Sequence, residues 1–270
     1  MKFDDLDARM RAFEIARDPH ALPEVFLVAR IDGRSFTRLT KELMNYRRPF
    51  DERFRDAMIG AVERLMTAGF QVVFGYTQSD EISLLFDPAE ASFGRNIRKW
   101  TSILAGEASA ALTHNIGRPA AFDCRVIELP RRSVVIDYFR WRNEDAHRNA
   151  LNGWCYWKLR EEGCGAAAAA AALEGMSVAE KNELLFQRGV QFNELPAWQR
   201  RGVGLAWEEY DKPAMNRKTG EPVTARRRRL QTILELPMRD EFSSFIEGLL
   251  ADHGDSAGVN RADIRPANNT

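Results

Sequence analysis

The spacing of apolar and polar positions divides the first half of the chain into alternating strands and helices. Apolar runs bounded by turn residues predict strands at 22–31, 70–76, 82–86 and 122–129. Apolar side chains at helical spacing predict helices over 3–16, 50–68 and 92–115. After the opening helix, the order is strand, helix, strand, strand, helix, strand. That order predicts an α+β fold of the ferredoxin-like type, an antiparallel sheet with both helices on one face.

The second half of the chain is predicted to be mainly helical. Helical patterns cover 133–160, 166–173 and 177–188. The last of these begins with Ser177 followed three residues later by Glu180, the spacing of a capping box. Two short strands, 202–208 and 230–236, flank a basic segment at 211–229 that we expect to form a hairpin arm with its turn at 216–220.

These patterns divide the chain into three parts. Residues 1–130 would form the sheet-containing core, and 131–250 a mainly helical portion that packs on it. Residues 251–270 are rich in Asp, Asn, Gly and Ala and would form a mobile tail.

Composition narrows the class of protein. The chain of 270 residues has 44% hydrophobic residues, enough for a sizeable core, and no apolar run long enough for a membrane span. The charged N-terminus lacks the apolar stretch of a secretory signal. Three cysteines without a CxxC pair favour a reducing cytoplasm and disfavour a zinc site. The 39 basic residues balance 39 acidic ones, which argues mildly against nucleic-acid binding unless the charges are segregated by face.

Acidic residues stand at two strand ends that a ferredoxin-like sheet places side by side. Asp32 follows the first strand, and Asp80 and Glu81 lie in the turn of the central hairpin. Clustered carboxylates repel one another unless a cation is present, and hard oxygen ligands suit Mg²⁺. Two such ions can activate an attacking hydroxyl and neutralise a leaving pyrophosphate, as in polymerase palm domains. Taken singly, each segment is more typical of an ordinary turn, and it is the two together at adjoining strand ends that favour a metal site.

The residues that flank these acids suit a triphosphate. Gly33 would let a phosphate approach the backbone closely, and the amides of Arg34, Ser35 and Phe36 could line it. Ser79 could donate a further hydrogen bond.

Six segments resemble the tRNA-His guanylyltransferase family and its relatives, the 3′-to-5′ reverse polymerases. They are Arg30–Phe36 (RIDGRSF), Gln78–Ser83 (QSDEIS), Phe122–Arg125 (FDCR), Trp141-Arg142 with His147, Lys181–Phe186 (KNELLF) and Asn193–Pro196 (NELP). Their order and approximate spacing match the family from about residue 3 to residue 240.

The resemblance implies a palm-like core in which Asp32, Asp80 and the Gly33 carbonyl hold two Mg²⁺ ions, with Glu81 beside them. The triphosphate of GTP or ATP would lie on Ser79, Asp80 and the segment Asp32, Gly33, Arg34, Ser35, Phe36 and Thr37, with Lys99 facing it.

The implied reaction has three parts: ATP activates the 5′-monophosphate of a tRNA, the 3′-hydroxyl of GTP attacks it, and pyrophosphate is removed. Members of the family assemble as dimers of dimers, which implies a homotetramer.

Two departures bear on which tRNA is used. The family's His-Ile-Asn-Asn-Leu-Tyr-Asn motif reads HRNALNG here, from His147, and Thr37 stands where many relatives have His. Both changes resemble the bacterial and archaeal-type members, which copy a template nucleotide. We therefore expect templated repair of tRNA 5′ ends ahead of dedicated tRNA-His guanylylation.

Basic residues supply candidate phosphate contacts. Those beyond the metal site are Arg34, Arg48, Arg95, Lys99 and Lys181. Candidate RNA contacts are His147, Lys181, Asn193, Arg226, Arg227, Arg228 and Arg229. Each is also compatible with an ordinary solvated face or strand. The aromatic residues of the 133–160 helix favour core packing or a subunit interface over base stacking.

Two other functions remain open from the residues alone. A nucleotide cyclase would use paired carboxylates on GTP without RNA. A non-catalytic RNA-binding protein could keep the fold, although it would have no physical reason to keep a repelling acidic cluster.

Overall fold

A mixed α+β architecture organises the chain in the computed structural model, which describes residues 2–215 and 220–254. Six antiparallel strands are described there: β1 (Phe26–Gly33), β2 (Val72–Gln78), β3 (Glu81–Phe86), β4 (Phe122–Leu129), β5 (Val203–Met215) and β6 (Pro222–Ile233). Their spatial order is β4-β1-β3-β2-β5-β6. The first four strands therefore have the predicted ferredoxin-like order, and the fold class is confirmed.

Helices and helical turns connect and cover the strands. The α-helices are α1 (Phe3–Glu14), α2 (Phe36–Arg38), α3 (Glu52–Met66), α4 (Ile97–Ile116), α5 (Arg132–Glu161), α6 (Ala166–Leu173), α7 (Val178–Phe186), α8 (Ala197–Arg201) and α9 (Arg239–Gly254). A π-helical turn at Leu39–Leu43 continues α2, and 3₁₀ turns occupy Ser92–Arg95 and Phe192–Glu194. Within the described residues, none of these helices has the length and apolar character needed to cross a membrane.

Helices α3 and α4 cover one face of the sheet, as the sequence pattern predicts. Buried side chains of the two helices, among them Met58, Leu65, Trp100 and Leu104, pack on alternate residues of β1 and β3. The Asp51 side chain caps α3 by accepting the Arg53 amide. Capping satisfies a backbone donor that the helix itself leaves unpaired.

The opposite face of the sheet is covered as well. Val28, Phe74 and Leu85 project to this side and pack against α5 and α9, where Phe139 and Phe242 are fully buried. The sheet is therefore enclosed by helices from both halves of the sequence. This explains why β2 and β3 are buried along nearly their whole length.

The C-terminal helix α9 extends to Gly254, past residue 251, where the predicted tail was to begin. Residues 255–270 lie outside the described part of the chain.

A smaller cluster unites the end of α5 with α6 and α7. Cys155, Ala169, Leu185 and Phe192 are buried together there. The capping box predicted at Ser177 and Glu180 is present, with both reciprocal hydrogen bonds made.

The basic segment forms paired strands for more of its length than predicted. The ladder between β5 and β6 continues from Gly204↔Ile233 through Asp211↔Arg226 to Met215↔Pro222. The predicted strand bounds were too short because charged and proline residues within 208–226 hid the pattern of a solvated two-stranded ribbon. Residues 216–219, where the turn was predicted, lie outside the described residues.

We expect Gly202→Ala to destabilise the protein by at least about 2 kcal/mol. Gly202 has φ 77° and ψ −166°, a conformation that is almost restricted to glycine. An added Cβ would also lie 2.5 Å from the Thr77 carbonyl oxygen. Urea unfolding would measure the change. The control is Gly106→Ala in α4, where nothing lies within 4 Å and alanine should raise helix stability by about 0.5–1 kcal/mol. Equal stability of the two variants would contradict this reading.

Candidate active site

The sheet brings Asp32 and Asp80 together at one end. Asp32, near the end of β1, is paired with Glu81, the first residue of β3. Asp80 lies in the tight turn before β3, and the Gly33 amide donates a hydrogen bond of 3.0 Å to its carbonyl oxygen. Ser79 adopts φ 51° in this turn and donates its hydroxyl to the Asp80 carboxylate at 3.0 Å. The two acids therefore occupy adjacent backbone positions, as the sequence suggested.

The electrostatics of Asp80 indicate a place for positive charge. Burial raises the pKa of the Asp80 carboxyl, and the negative charge of Asp32 raises it further, while the hydrogen bond from Ser79 opposes both. A nearby cation would relieve both costs.

The donor set at Asp32 and Asp80 fits magnesium. No group of three or more His, Cys, Asp or Glu side chains in the described residues forms a metal cluster. Two carboxylates suffice for Mg²⁺, however, because it commonly keeps water and substrate phosphate oxygens as its other ligands.

Glu81 is held by arginines. Arg142 of α5 donates two hydrogen bonds of 2.7 Å to the two Glu81 oxygens, and both side chains are less than 10% exposed. Arg30 reaches Glu81 at 2.8 Å and Asp32 at 3.0 Å. Burial raises the pKa of Glu81, while Arg142 and Arg30 oppose that effect. Both Glu81 oxygens are therefore paired with arginines. Glu81 is linked to the metal site through Arg30, which also contacts Asp32.

A second arginine contacts Asp32 from the sheet edge. Arg125 of β4, opposite Arg30 in the register, lies 3.2 Å from the Asp32 carboxylate. Its side chain is 59% exposed. Asp32 is therefore bracketed by two guanidinium groups.

The segment after β1 is anchored by an aromatic cluster. Phe36 is buried against Phe54 and Phe122, and a Cβ on Gly33 would lie 2.5 Å from the Phe36 ring. Any nucleotide contact of Phe36 would thus be through its backbone. The Arg34 amide already donates to the Ala121 carbonyl at 2.8 Å. The side chains of Arg34, Ser35 and Thr37 are exposed beside the carboxylates.

Lys99 is not brought to the carboxylates within this chain. It lies in the first turn of α4, where the Ile97 amide donates to Pro19 and Arg95 donates to the Val25 carbonyl. Val25 precedes β1, whose far end carries Asp32, about 20 Å away at roughly 3.3 Å per residue. Helix α4 starts at the opposite end of the sheet because β3 runs away from the hairpin turn.

The three predicted RNA contacts of the helical portion lie around its small cluster. His147 of α5 packs edge-on against Phe192 with ring centroids 5.2 Å apart, next to Asn193, which is exposed. Burial lowers the pKa of His147, and nearby Arg200, Arg201 and Arg239 lower it further. Lys181 is half-buried on α7.

A cavity of about 270 Å³ adjoins the Ser79 turn and was not predicted. We call it the α3–α5 cavity. Its walls include Tyr46, Arg48, Phe54, Ser79, Trp157 and Trp198. Arg48 lies over the Trp157 ring at 4.4 Å from its centroid. No local pattern could reveal this cavity because its walls come from segments more than 100 residues apart.

One acid at this cavity has a structural task. Asp51 accepts hydrogen bonds from the Arg47 and Arg53 amides and from the Arg53 guanidinium, which lower its pKa to about 2. Asp51 therefore stays charged and holds the cavity wall formed by residues 46–51.

Comparison with known proteins identifies the family. The family model described as tRNAHis guanylyltransferase matches residues 7–130, and the Thg1 C terminal domain model matches residues 133–238. A probable tRNA(His) guanylyltransferase of Drosophila melanogaster is 36% identical over 206 residues, covering 73% of this chain and 71% of that protein. The chain belongs to the tRNA(His) guanylyltransferase family.

Other members of the tRNA(His) guanylyltransferase family agree with this assignment. A probable tRNA(His) guanylyltransferase of Homo sapiens is 31% identical over 216 residues, covering 74% of this chain and 72% of that protein. A bacterial Thg1-like protein solved in complex with GTP superposes with a TM-score of 0.71 at 25% identity, covering 91% of this chain and 99% of its own. The Saccharomyces cerevisiae enzyme gives 0.68 at 25% identity, over 76% of this chain and 93% of its own.

We expect Asp80→Asn to stabilise the metal-free protein at neutral pH. A carboxyl whose pKa is raised by folding lowers stability when charged, and that loss is relieved as the pH falls through the raised pKa toward the ordinary value of 3.8. The variant should therefore be at least as stable as the wild type in EDTA, with a flatter pH dependence.

Magnesium should make the wild type more stable than Asp80→Asn. Mg²⁺ at roughly 100 times its Kd should stabilise the wild type by about 2.7 kcal/mol and the variant far less. Thermal unfolding with and without Mg²⁺ measures both effects. Equal magnesium shifts in the two proteins would exclude Asp80 as a ligand.

Proposed function

We propose that the protein is a template-dependent 3′-to-5′ nucleotidyltransferase that adds nucleotides, with GTP favoured, to the 5′ end of tRNA. The observation that carries this proposal is the Asp32–Asp80 pair beside the α3–α5 cavity, in a chain of the tRNA(His) guanylyltransferase family.

Two magnesium ions would be held by Asp32, Asp80 and the Gly33 carbonyl. When bound, they supply positive charge to the triphosphate and to the attacking hydroxyl. The chain's own part is positioning: Arg30 orients Asp32 at 3.0 Å, and the Ser79 hydroxyl orients Asp80 at 3.0 Å. Positioning and charge neutralisation account for most of the catalysis of phosphoryl transfer.

The α3–α5 cavity is suited to a nucleotide base. Its aromatic walls and the Arg48 guanidinium offer stacking surfaces, and Ser79 at its rim places a triphosphate next to Asp80. Two bacterial Thg1-like relatives have been solved in complex with GTP and with ATP. We propose that both nucleotides are substrates of this chain.

The reaction joins three steps at this site. ATP transfers its adenylyl group to the 5′-phosphate of the RNA and releases pyrophosphate. The 3′-hydroxyl of the incoming nucleotide then attacks the phosphorus of that 5′-phosphate and displaces AMP. Pyrophosphate is finally removed from the added nucleotide. Repair of shortened 5′ ends is favoured over dedicated tRNA-His maturation by the departures at Thr37 and in the segment after His147.

The β5–β6 hairpin is proposed to contact the RNA backbone. Arg226 and Arg229 pair with Glu209 and Glu208, and Arg228 lies over the Trp207 ring. Arg227 makes no ion pair with any described residue. It is therefore the guanidinium most available to a phosphate.

Arg227→Ala should weaken tRNA binding and lower the steepness of its dependence on log salt by about 1, since one phosphate contact is lost. Arg64→Ala is the matched control, because its guanidinium is paired with Glu107 at 2.8 Å and lies on α3, outside the arm. Filter binding across a salt series measures both. Identical slopes for the wild type and Arg227→Ala would remove the arm from the RNA site.

We also propose that the protein is a homotetramer in the cytoplasm. The apolar side chains of α1, namely Phe3, Leu6, Met10 and Phe13, recur at spacings of three and four and are 41–77% exposed. Such a face supports contact with another copy of the chain. Assembly would also let several subunits share a positive groove, despite the zero net charge of the chain.

The deciding assay combines Mg²⁺, ATP, labelled nucleotides and a 5′-monophosphorylated tRNA that lacks its first nucleotide, with full-length tRNA-His alongside. We expect extension of the truncated tRNA by the nucleotide complementary to its template, and loss of extension in Asp32→Ala, because the metal site needs that carboxylate. Mapping of the 5′ ends reports both results.

Three other outcomes would change the conclusion. Addition of a single G to tRNA-His, whatever lies opposite, would restore dedicated guanylylation. Consumption of GTP without any RNA extension would favour a cyclase-like activity instead. RNA binding with neither activity would indicate a non-catalytic member of the fold.

A further inference from the structure

One open surface beside Asp32 is separate from the α3–α5 cavity. We call it the β1–β4 shelf, defined by Arg30, Arg125, Tyr138 and Trp141. Arg30 and Arg125 are opposite one another on β1 and β4. Tyr138 of α5 is buried beside β3, with its hydroxyl 3.1 Å from Ser83, the partner of Arg30.

Trp141 is the exposed aromatic side chain of this shelf. It follows Tyr138 by three residues, so it lies on the same side of α5, with ring centroids 6.0 Å apart. It is 52% exposed although tryptophan is among the side chains that gain most from burial. Its neighbour Arg142 binds Glu81, which links the exposed ring face to the site.

The Trp141 ring is held firmly in place. The Arg142 guanidinium lies 4.5 Å from its ring centroid, and the same guanidinium is fixed to Glu81 by two bonds of 2.7 Å. Tyr138 contacts the ring edge-on. A pre-ordered aromatic platform loses little conformational freedom when a base stacks on it.

Arg125 supplies a second kind of contact on the same shelf. Its guanidinium is 3.2 Å from Asp32 and 3.8 Å from Asp123, and more than half of the side chain is exposed. A cation bound to Asp32 would weaken the pull of that carboxylate on Arg125. The planar guanidinium would then be free to bind the oxygens of a phosphate with two parallel hydrogen bonds.

The position of the shelf matches what the reaction needs. Ser79 and the α3–α5 cavity lie toward β2 and α3, whereas the shelf lies toward the β4 edge, with Asp32 and Asp80 between them. A reaction that joins a nucleotide to the end of an RNA needs one surface for each partner. The cavity suits the mononucleotide, and the shelf offers the more than half-exposed side chains of Arg125 and Trp141 to the RNA end.

We propose that the β1–β4 shelf binds the 5′ end of the RNA substrate. Trp141 stacks on the nucleobase at the 5′ terminus, and Arg125 binds the 5′-phosphate. This inference rests on the proposed function, and it adds the surface that orients the RNA end. Trp141 and Arg125 are binding and positioning residues, distinct from the carboxylates.

The test uses the full-length protein and a truncated tRNA with 2-aminopurine as its first nucleotide, prepared with either a 5′-monophosphate or a 5′-hydroxyl. Stacking on Trp141 should quench the 2-aminopurine fluorescence. Trp141→Ala should abolish the quenching and raise the KM for RNA about tenfold or more, since base–aromatic stacking contributes strongly to single-strand binding. Trp141→Phe should restore most of both signals.

Arg125→Ala should show a different pattern. It should remove the preference for 5′-phosphorylated over 5′-hydroxyl RNA while leaving the quenching in place. Binding of a fluorescent GTP analogue should be unchanged in Trp141→Ala, and unchanged thermal unfolding should show that both variants are folded. Matched controls are Phe186→Ala, an exposed aromatic residue on α7, and Arg64→Ala, an arginine paired with Glu107 on the other face of the sheet.

The outcomes separate this inference from the proposed function. If the wild type extends RNA but Trp141→Ala keeps its KM and its quenching, the shelf is not the RNA site. If Arg125→Ala keeps the phosphate preference, its assigned contact is wrong. If the wild type extends no RNA at all, the proposed function fails, and the shelf proposal fails with it.

Discussion

The buried contact between Arg142 and Glu81 is the interaction on which the geometry of the site depends. It joins α5, from the second half of the chain, to the first residue of β3, and through Arg30 it reaches Asp32. A buried ion pair adds little net stability, because both charges lose their hydration. Its breaking is costly for the same reason, since one charge would remain buried alone. The contact therefore selects one placement of α5 over the sheet, and with it the placement of everything that α5 carries.

As a result, the two faces of the sheet are packed in different ways. Helices α3 and α4 form a conventional apolar layer with large buried aromatic residues. On the other face, apolar packing by Phe139 and Phe242 gives way to polar contacts near the carboxylates, where Ser83, Tyr138 and Arg142 meet. Apolar packing therefore stabilises the fold away from the carboxylates. Near the carboxylates, charged and hydrogen-bonded contacts select one arrangement of α5 on the sheet.

The sequence was sufficient for the core fold because local signals and global order agree there. Strand and helix periods in the first half predict the 4-1-3-2 order of strands, and the adjacency of Asp32 and Asp80 follows from it. Long-range side-chain contacts could not be predicted in the same way. Three features depend on how separate helices pack. They are the ion pair of Glu81, the aromatic walls of the α3–α5 cavity and the distance of Lys99 from Asp32. The length of the β5–β6 ribbon was not predicted because most side chains of β6 are exposed, so the strand has no apolar face to reveal it.

Helix α5 also fixes the distance between the β1–β4 shelf and the α3–α5 cavity. It carries Trp141 at the β1–β4 shelf and Trp157 in the wall of the α3–α5 cavity, 16 residues further along a single unbroken helix of 30 residues. At about 1.5 Å per residue, the two indole rings are attached roughly 24 Å apart along one rigid rod. The two surfaces cannot approach or separate independently, because the backbone hydrogen bonds of the helix fix their spacing. Helix α5 therefore acts as a molecular ruler whose length is set by its residue count.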